Sequence, residues 1–138
     1  MTELIFKEES YKIIGTCMEV HKVLGKGFSE AVYKDALEIE FKNGGISYEK
    51  EKQYDIIYKG LVLPHKYFAD FVVLDRIILE VKSAKGIAED HVKQTLNYVT
   101  AAKIKLGLIV NFGEDSLKFK RIVLTKSQNP PRKLAESA

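Results

Sequence analysis

The sequence has one cysteine, Cys17, no tryptophan and three prolines in 138 residues. A lone cysteine excludes an internal disulfide and a multi-cysteine zinc site, so a reducing cytoplasm is the expected home. No apolar run approaches the length of a membrane span. The opening MTELIFKEESYK lacks a basic end followed by an apolar stretch, so neither membrane insertion nor a secretion signal is expected. An excess of one charge is missing too: 22 Lys and Arg against 19 Asp and Glu leave a net charge of +3. That permits contact with a polyanion without announcing one. There is no repeat, no low-complexity block and no internal linker. One domain over residues 1–125 is expected, with a disordered tail at 126–138 that carries Pro130-Pro131 and no apolar periodicity.

Glu8 to Leu24 places Ile13, Cys17, Val20 and Leu24 on one helical stripe, and Gly25 ends it. His21 lies beside Met18 and Leu24 with no second His or Cys at metal spacing, which reads as a packed histidine. Ser29 can cap a second helix that stops at Asn43-Gly44-Gly45, with Glu30 in its first turn. Taken locally, Glu30 is a solvated first-turn acid. The even positions Ile46, Tyr48, Tyr54, Ile56 and Tyr58 suggest one strand face, interrupted by the charged run Glu49–Lys52. Lys59-Gly60 reads as a hairpin turn into Leu61–Leu63, which Pro64 should end. Strands Tyr67–Leu74 and Ile77–Lys82 follow, then a loop, a helix over Ala88–Ala102, and strands Leu106–Asn111 and Leu117–Leu124. Lys85, Lys93, Lys103 and Lys105 could form a basic cluster near that helix or a solvated face.

The stretch YFADFVVLDRIILEVK carries most of the chemistry. Its strands are apolar enough to be buried, yet they hold Asp70, Glu80 and Lys82. Residues two apart in a strand share a face, so Glu80 and Lys82 project together, away from Ile77, Leu79 and Val81. Buried charges need partners. Glu80 and Lys82 could simply neutralise each other. Alternatively, Asp70 and Glu80 are hard oxygen ligands for a divalent metal, with Lys82 close to the reacting oxygens.

In order, an acid on an early helix (Glu30), an acid on a strand (Asp70), Glu-x-Lys on the next (Glu80, Lys82) and Gln94-x-x-x-Tyr98 on a helix resemble the PD-(D/E)XK nuclease superfamily. The Gln-x-x-x-Tyr element is similar to that of its recombination-associated branch. Within the superfamily the chain resembles small GxxExxY proteins, through Gly27-Phe28-Ser29-Glu30-Ala31-Val32-Tyr33. Ile13-Ile14-Gly15, Val20-His21, Tyr58-Lys59-Gly60 and Asn111-Phe112-Gly113 are further matches. Ala69 stands where the superfamily's name has Pro, and Gly25-Lys26-Gly27-Phe28 replaces a turn in which relatives often have Pro and Leu.

The resemblance implies an α/β, restriction-endonuclease-like core: a central mixed β-sheet with the first two helices on one side and the Gln94 helix on the other. It implies a Mg²⁺- or Mn²⁺-dependent nuclease acting on nucleic acid, with DNA as the expected partner. Asp70, Glu80 and the Val81 carbonyl would hold the metal, and Glu30 would complete or support the site. Lys82 would orient the water or stabilise developing charge, Gln94 would hold phosphate or water, and Tyr98 would pack behind it. The alternative is a catalytically silent nucleic-acid-binding or protein-interaction module with the same fold. Oligomeric state is left open, a homodimer included.

Strand register supplies a test independent of resemblance. A two-residue loop at Asp75-Arg76 would set Phe71 opposite Glu80 and turn Asp70 away from it. A three-residue loop, Asp75-Arg76-Ile77, sets Val72 opposite Glu80 and Asp70 opposite Lys82, all facing one way. The sequence therefore predicts an odd loop or a bulge, with the Asp70 and Glu80 carboxyls within about 6 Å, the reach of two oxygen ligands on one cation.

Overall fold

The computed structural model describes residues 5–124; the expected C-terminal tail lies outside the described residues. Helices α1 (Lys7–Leu24) and α2 (Glu30–Asn43) come first, then strands β1 (Tyr48–Tyr58), β2 (Leu61–Val73) and β3 (Ile77–Lys82). Helix α3 (Glu89–Ala102) leads to β4 (Leu106–Asn111) and β5 (Lys118–Val123). The five strands form one sheet in chain order, antiparallel except for the β3–β4 pair. A parallel pair needs a crossover, and α3 supplies it.

The expected sides hold. Ile13, Cys17, Tyr33, Leu37 and Phe41 of α1 and α2 pack on Phe71, Leu79, Val81 and Leu108 as one buried cluster. On the opposite face Val99 of α3 packs with Tyr67, Ala69, Val72 and Ile78, flanked by Tyr98 and Ala102. Apolar burial on both faces of β3 explains why this strand reads as an almost unbroken aliphatic run.

Local chemistry sets the joints. The Gly25 N–H donates to the His21 carbonyl at 2.8 Å and closes α1. Ser29 occupies the position before α2, but its hydroxyl makes no capping bond, contrary to expectation. Lys59 and Gly60 both take positive φ between Tyr58 and Leu61, the two-residue turn expected there.

Pro64 does not end its strand: β2 continues to Val73. The β1–β2 register shifts between Asp55 and Ile57, so Leu63, Pro64 and His65 stand across from Ile56 alone. In that bulge a missing N–H breaks no ladder bond.

Two further departures shape the site. Val73 pairs with Ile77 and Phe71 with Leu79, so the loop is Leu74-Asp75-Arg76. It is odd, as expected, but begins one residue earlier because Leu74 and Asp75 both adopt positive φ. Continued, this register sets Asp70 directly opposite Glu80.

The second departure is a phase change. Phe71 and Val73 face the α1/α2 cluster, whereas Ala69 and Tyr67 belong to the α3 cluster, so strict alternation breaks at Asp70. On β1 the same break falls at Glu51, which has φ 53°. Tyr48 therefore packs on the α1/α2 side and Tyr54 on the α3 side, correcting the single-face reading of the even positions. Both strands change phase at facing positions, so the pairing register is the same on either side of Glu51 and Asp70.

Candidate active site

At the phase change β2 stops pairing with β3, and side chains fill the vacated ladder. The Val81 N–H donates to Asp70 Oδ2 at 2.8 Å, and the Asp70 N–H donates to Glu80 Oε2 at 3.4 Å. Each carboxylate thus leans on the main chain that carries or adjoins the other. The N–H and C=O of one strand residue point to the same side, so the Val81 carbonyl is aimed toward Asp70 as well.

Glu80 is only 7% exposed, and the Tyr67 hydroxyl donates to its Oε2 at 2.6 Å. Burial raises its pKa to about 7, and the charge of Asp70 adds to the rise. The Tyr67 hydroxyl, the Asp70 N–H and the Lys82 charge pull the other way without cancelling it. Burial, then the charge of Glu80, raises the Tyr67 phenol, which keeps its proton and remains a donor.

Behind this bond the Tyr67 ring stacks on Tyr98 with centroids 3.6 Å apart and planes 12° from parallel. Tyr54 stacks on Tyr67 at 5.8 Å. Burial and the charge of Glu80 raise the Tyr98 phenol as well. Gln94 is exposed one helical turn before Tyr98.

Asp70 has a second partner that the sequence reading missed. Lys34 of α2 places its ammonium 3.2 Å from Asp70 Oδ1 and 2.9 Å from Glu51 Oε2. Burial disfavours the Lys34 charge, but its hydrogen bond to Glu51 and the charge of Asp70, with the hydrogen bond Lys34 donates to it, outweigh burial and raise its pKa. Its signal was its place four residues after Glu30, on a neighbouring stripe of α2. Tyr67 was legible only in that a phenol in a buried strand needs a polar partner.

Lys82 makes no ion pair among the described residues, so the neutralising Glu80–Lys82 bridge is not formed. Glu30 stands apart from the two strand acids: its Oε2 accepts the Ser83 N–H at 3.3 Å. Among the described residues no three acids, histidines or cysteines converge as a metal centre. Of the three acids, Asp70 and Glu80 lie close together, the Asp70 N–H bonded to the Glu80 carboxylate, and Glu30 does not join them.

The other expectations sort themselves. His21 is buried, its Nε2 lies 2.9 Å from the Glu114 carbonyl, and its ring stacks near Phe112, as a packed histidine should. Cys17 is fully buried, and burial pushes its thiol up, away from nucleophilic use. Lys85 precedes α3 while Lys103 and Lys105 follow it, so about 21 Å of helix separates the two ends of the suggested cluster.

A mixed sheet with Asp on one central strand, Glu-x-Lys on the next and helices on both faces defines an α/β protein of restriction-endonuclease-like architecture. The chain belongs to the PD-(D/E)XK nuclease superfamily, whose family model matches residues 7–122. Nucleases of this superfamily generally use divalent metals. The crystal structure of SSO0001 is similar, with a TM-score of 0.54 and 21% sequence identity. The match covers 70% of this chain and 52% of that one, so the chain spans about half that structure's length, and the likeness concerns the fold alone. A comparison with curated proteins returned no match. No helix among the described residues is long and apolar enough to cross a membrane.

Proposed function

We propose that the protein is a divalent-metal-dependent nuclease of the GxxExxY type, hydrolysing phosphodiester bonds of DNA with residues 1–125 as one catalytic domain. The observation that carries this reading is the junction of Asp70 and Glu80 between adjacent strands, with the Lys82 charge acting on Glu80 and Lys82 in no ion pair among the described residues. Two like charges at a buried junction are stabilised by a cation, and the Lys34 ammonium already serves Asp70 in that way. The donor set suits a hard cation: two carboxylates and the Val81 carbonyl, with the remaining positions left to water and phosphate oxygens. Held by Asp70, Glu80 and the Val81 carbonyl, Mg²⁺ or Mn²⁺ would supply Lewis acidity toward water and the phosphoryl group.

The chain's own groups do the rest. The Tyr67 hydroxyl fixes the Glu80 carboxylate, and the Tyr67–Tyr98 stack keeps bulk water from it. Lys82 stabilises the negative charge that develops on the phosphate. Gln94, exposed one helical turn before Tyr98, would donate to a phosphate oxygen. Degradation of single- and double-stranded DNA in Mn²⁺, beside a Lys82→Ala control, tests the reading. Cleavage that disappears in the variant supports it. DNA binding with no cleavage in either protein would leave a silent module in its place.

A further inference from the structure

Ser83 and Ala84, just beyond Lys82, are held by an unusual number of bonds. The Ser83 hydroxyl donates to the Phe28 carbonyl at 2.9 Å, and its N–H donates to Glu30 Oε2. The Ala84 N–H donates to Asn111 Oδ1 at 2.9 Å, while Asn111 Nδ2 donates to the Ala84 carbonyl at 3.0 Å. The same Asn111 amide accepts from the Gly113 N–H at 3.1 Å and donates to Glu114 at 2.7 Å, so all four of its bonding positions are filled at 0% exposure. A Cβ on Gly113 would lie 2.3 Å from the Ala84 carbonyl oxygen, so only glycine lets the two turns touch. The Phe112 N–H donates to the Lys82 carbonyl at 2.8 Å.

The other side is built as firmly. The Tyr33 hydroxyl accepts from the Phe28 N–H and donates to the Gly25 carbonyl at 2.5 Å, bracing the turn that presents Phe28 and Glu30. The Tyr33 ring stacks on Phe112 at 4.4 Å, joining both sides.

Resting on the nuclease reading above, we propose that the Gly27–Tyr33 and Asn111–Gly113 motifs are two jaws of one backbone clamp on Ser83-Ala84 that aims Lys82. Glu30 and Asn111 are then positioning residues, and Glu30 acts by accepting a main-chain N–H, not by ligating metal. A glutamine can accept that bond through its amide oxygen; an alanine cannot.

The test uses the full chain with Glu30→Ala, Glu30→Gln and Asn111→Ala, read by amide hydrogen exchange, by the Lys82 Cε resonance and by Mn²⁺ calorimetry. Glu30→Ala is expected to speed Ser83 exchange by about 5- to 10-fold, the worth of one net hydrogen bond, and to move the Lys82 signal. Glu30→Gln should restore both. Mn²⁺ affinity should stay within about 2-fold in both Glu30 variants, because no inner ligand is lost. Asn111→Ala should loosen Ala84 more strongly; if it does not fold, the exposed Glu30 pair decides. Ser83 exchange and a Lys82 signal unchanged by Glu30→Ala would overturn the clamp. So would equal loss of Mn²⁺ affinity in Glu30→Ala and Glu30→Gln. If wild type neither binds Mn²⁺ nor cleaves, the nuclease reading fails, and exchange with the Lys82 signal still judges the clamp.

Discussion

The two faces of the sheet are furnished differently. On the α1/α2 face Phe71, Phe41, Leu79 and Leu108 are fully buried among apolar neighbours. The α3 face has a smaller apolar cluster, a tyrosine stack and the buried Glu80. One face holds the molecule together. The other tolerates a buried carboxylate whose charged form is disfavoured.

The broadest way to break this contrast is to truncate one residue from each role. Phe71→Ala should lower unfolding free energy by about 3–5 kcal/mol in denaturant titration, through cavity formation and lost aromatic contacts. Lys82→Ala should change stability by less than about 0.5 kcal/mol, yet reduce Mn²⁺-dependent cleavage by about 100-fold or more.

Glu80→Gln sharpens the contrast through pH. The folded pKa of Glu80 is about 7, above the ordinary 4.5. A raised carboxyl pKa means the folded state holds its proton more tightly than the unfolded chain does. Its contribution is therefore fully present below the unfolded pKa and is lost as pH rises from about 4.5 to about 7. Glu80→Gln should abolish that slope and be more stable than wild type by about 2 kcal/mol at pH 8, as followed by thermal unfolding across pH.

Tyr67→Phe has a smaller effect. It removes the hydroxyl that stabilises the Glu80 charge and holds its pKa down, so the acidic limb of the cleavage profile should move to higher pH by about half a unit to one unit. Lys34→Met has the least: without the competing ammonium, Mn²⁺ should bind a few-fold more tightly in calorimetry.

Much of this was legible in the sequence, and for physical reasons. Period-2 and period-3.6 patterns found the elements, and parity alone demanded an odd loop between β2 and β3. The loop's start was not legible, because Leu74 looks like a strand residue and nothing local marks a leucine for positive φ. The phase change left only a trace, the charged interruption at Glu49–Lys52, within which Glu51 takes positive φ. Lys34 and Tyr67 were missed because their roles depend on partners 36 and 13 residues away in the chain. Glu30 was identified as a site residue, but its bond to the Ser83 main chain exists only once α2 meets the end of β3.

In the proposed site Asp70 and Glu80 hold one divalent cation, and the Glu80 proton competes with it. Mn²⁺ calorimetry at pH 6 and pH 8, in buffers of different ionisation enthalpy, tests it most directly. Binding should be about 10-fold weaker at pH 6 and release close to one proton per ion there, with almost none released at pH 8. Asp70→Asn and Glu80→Gln should each abolish it. Affinity independent of pH, or heats unchanged in both variants, would contradict the account.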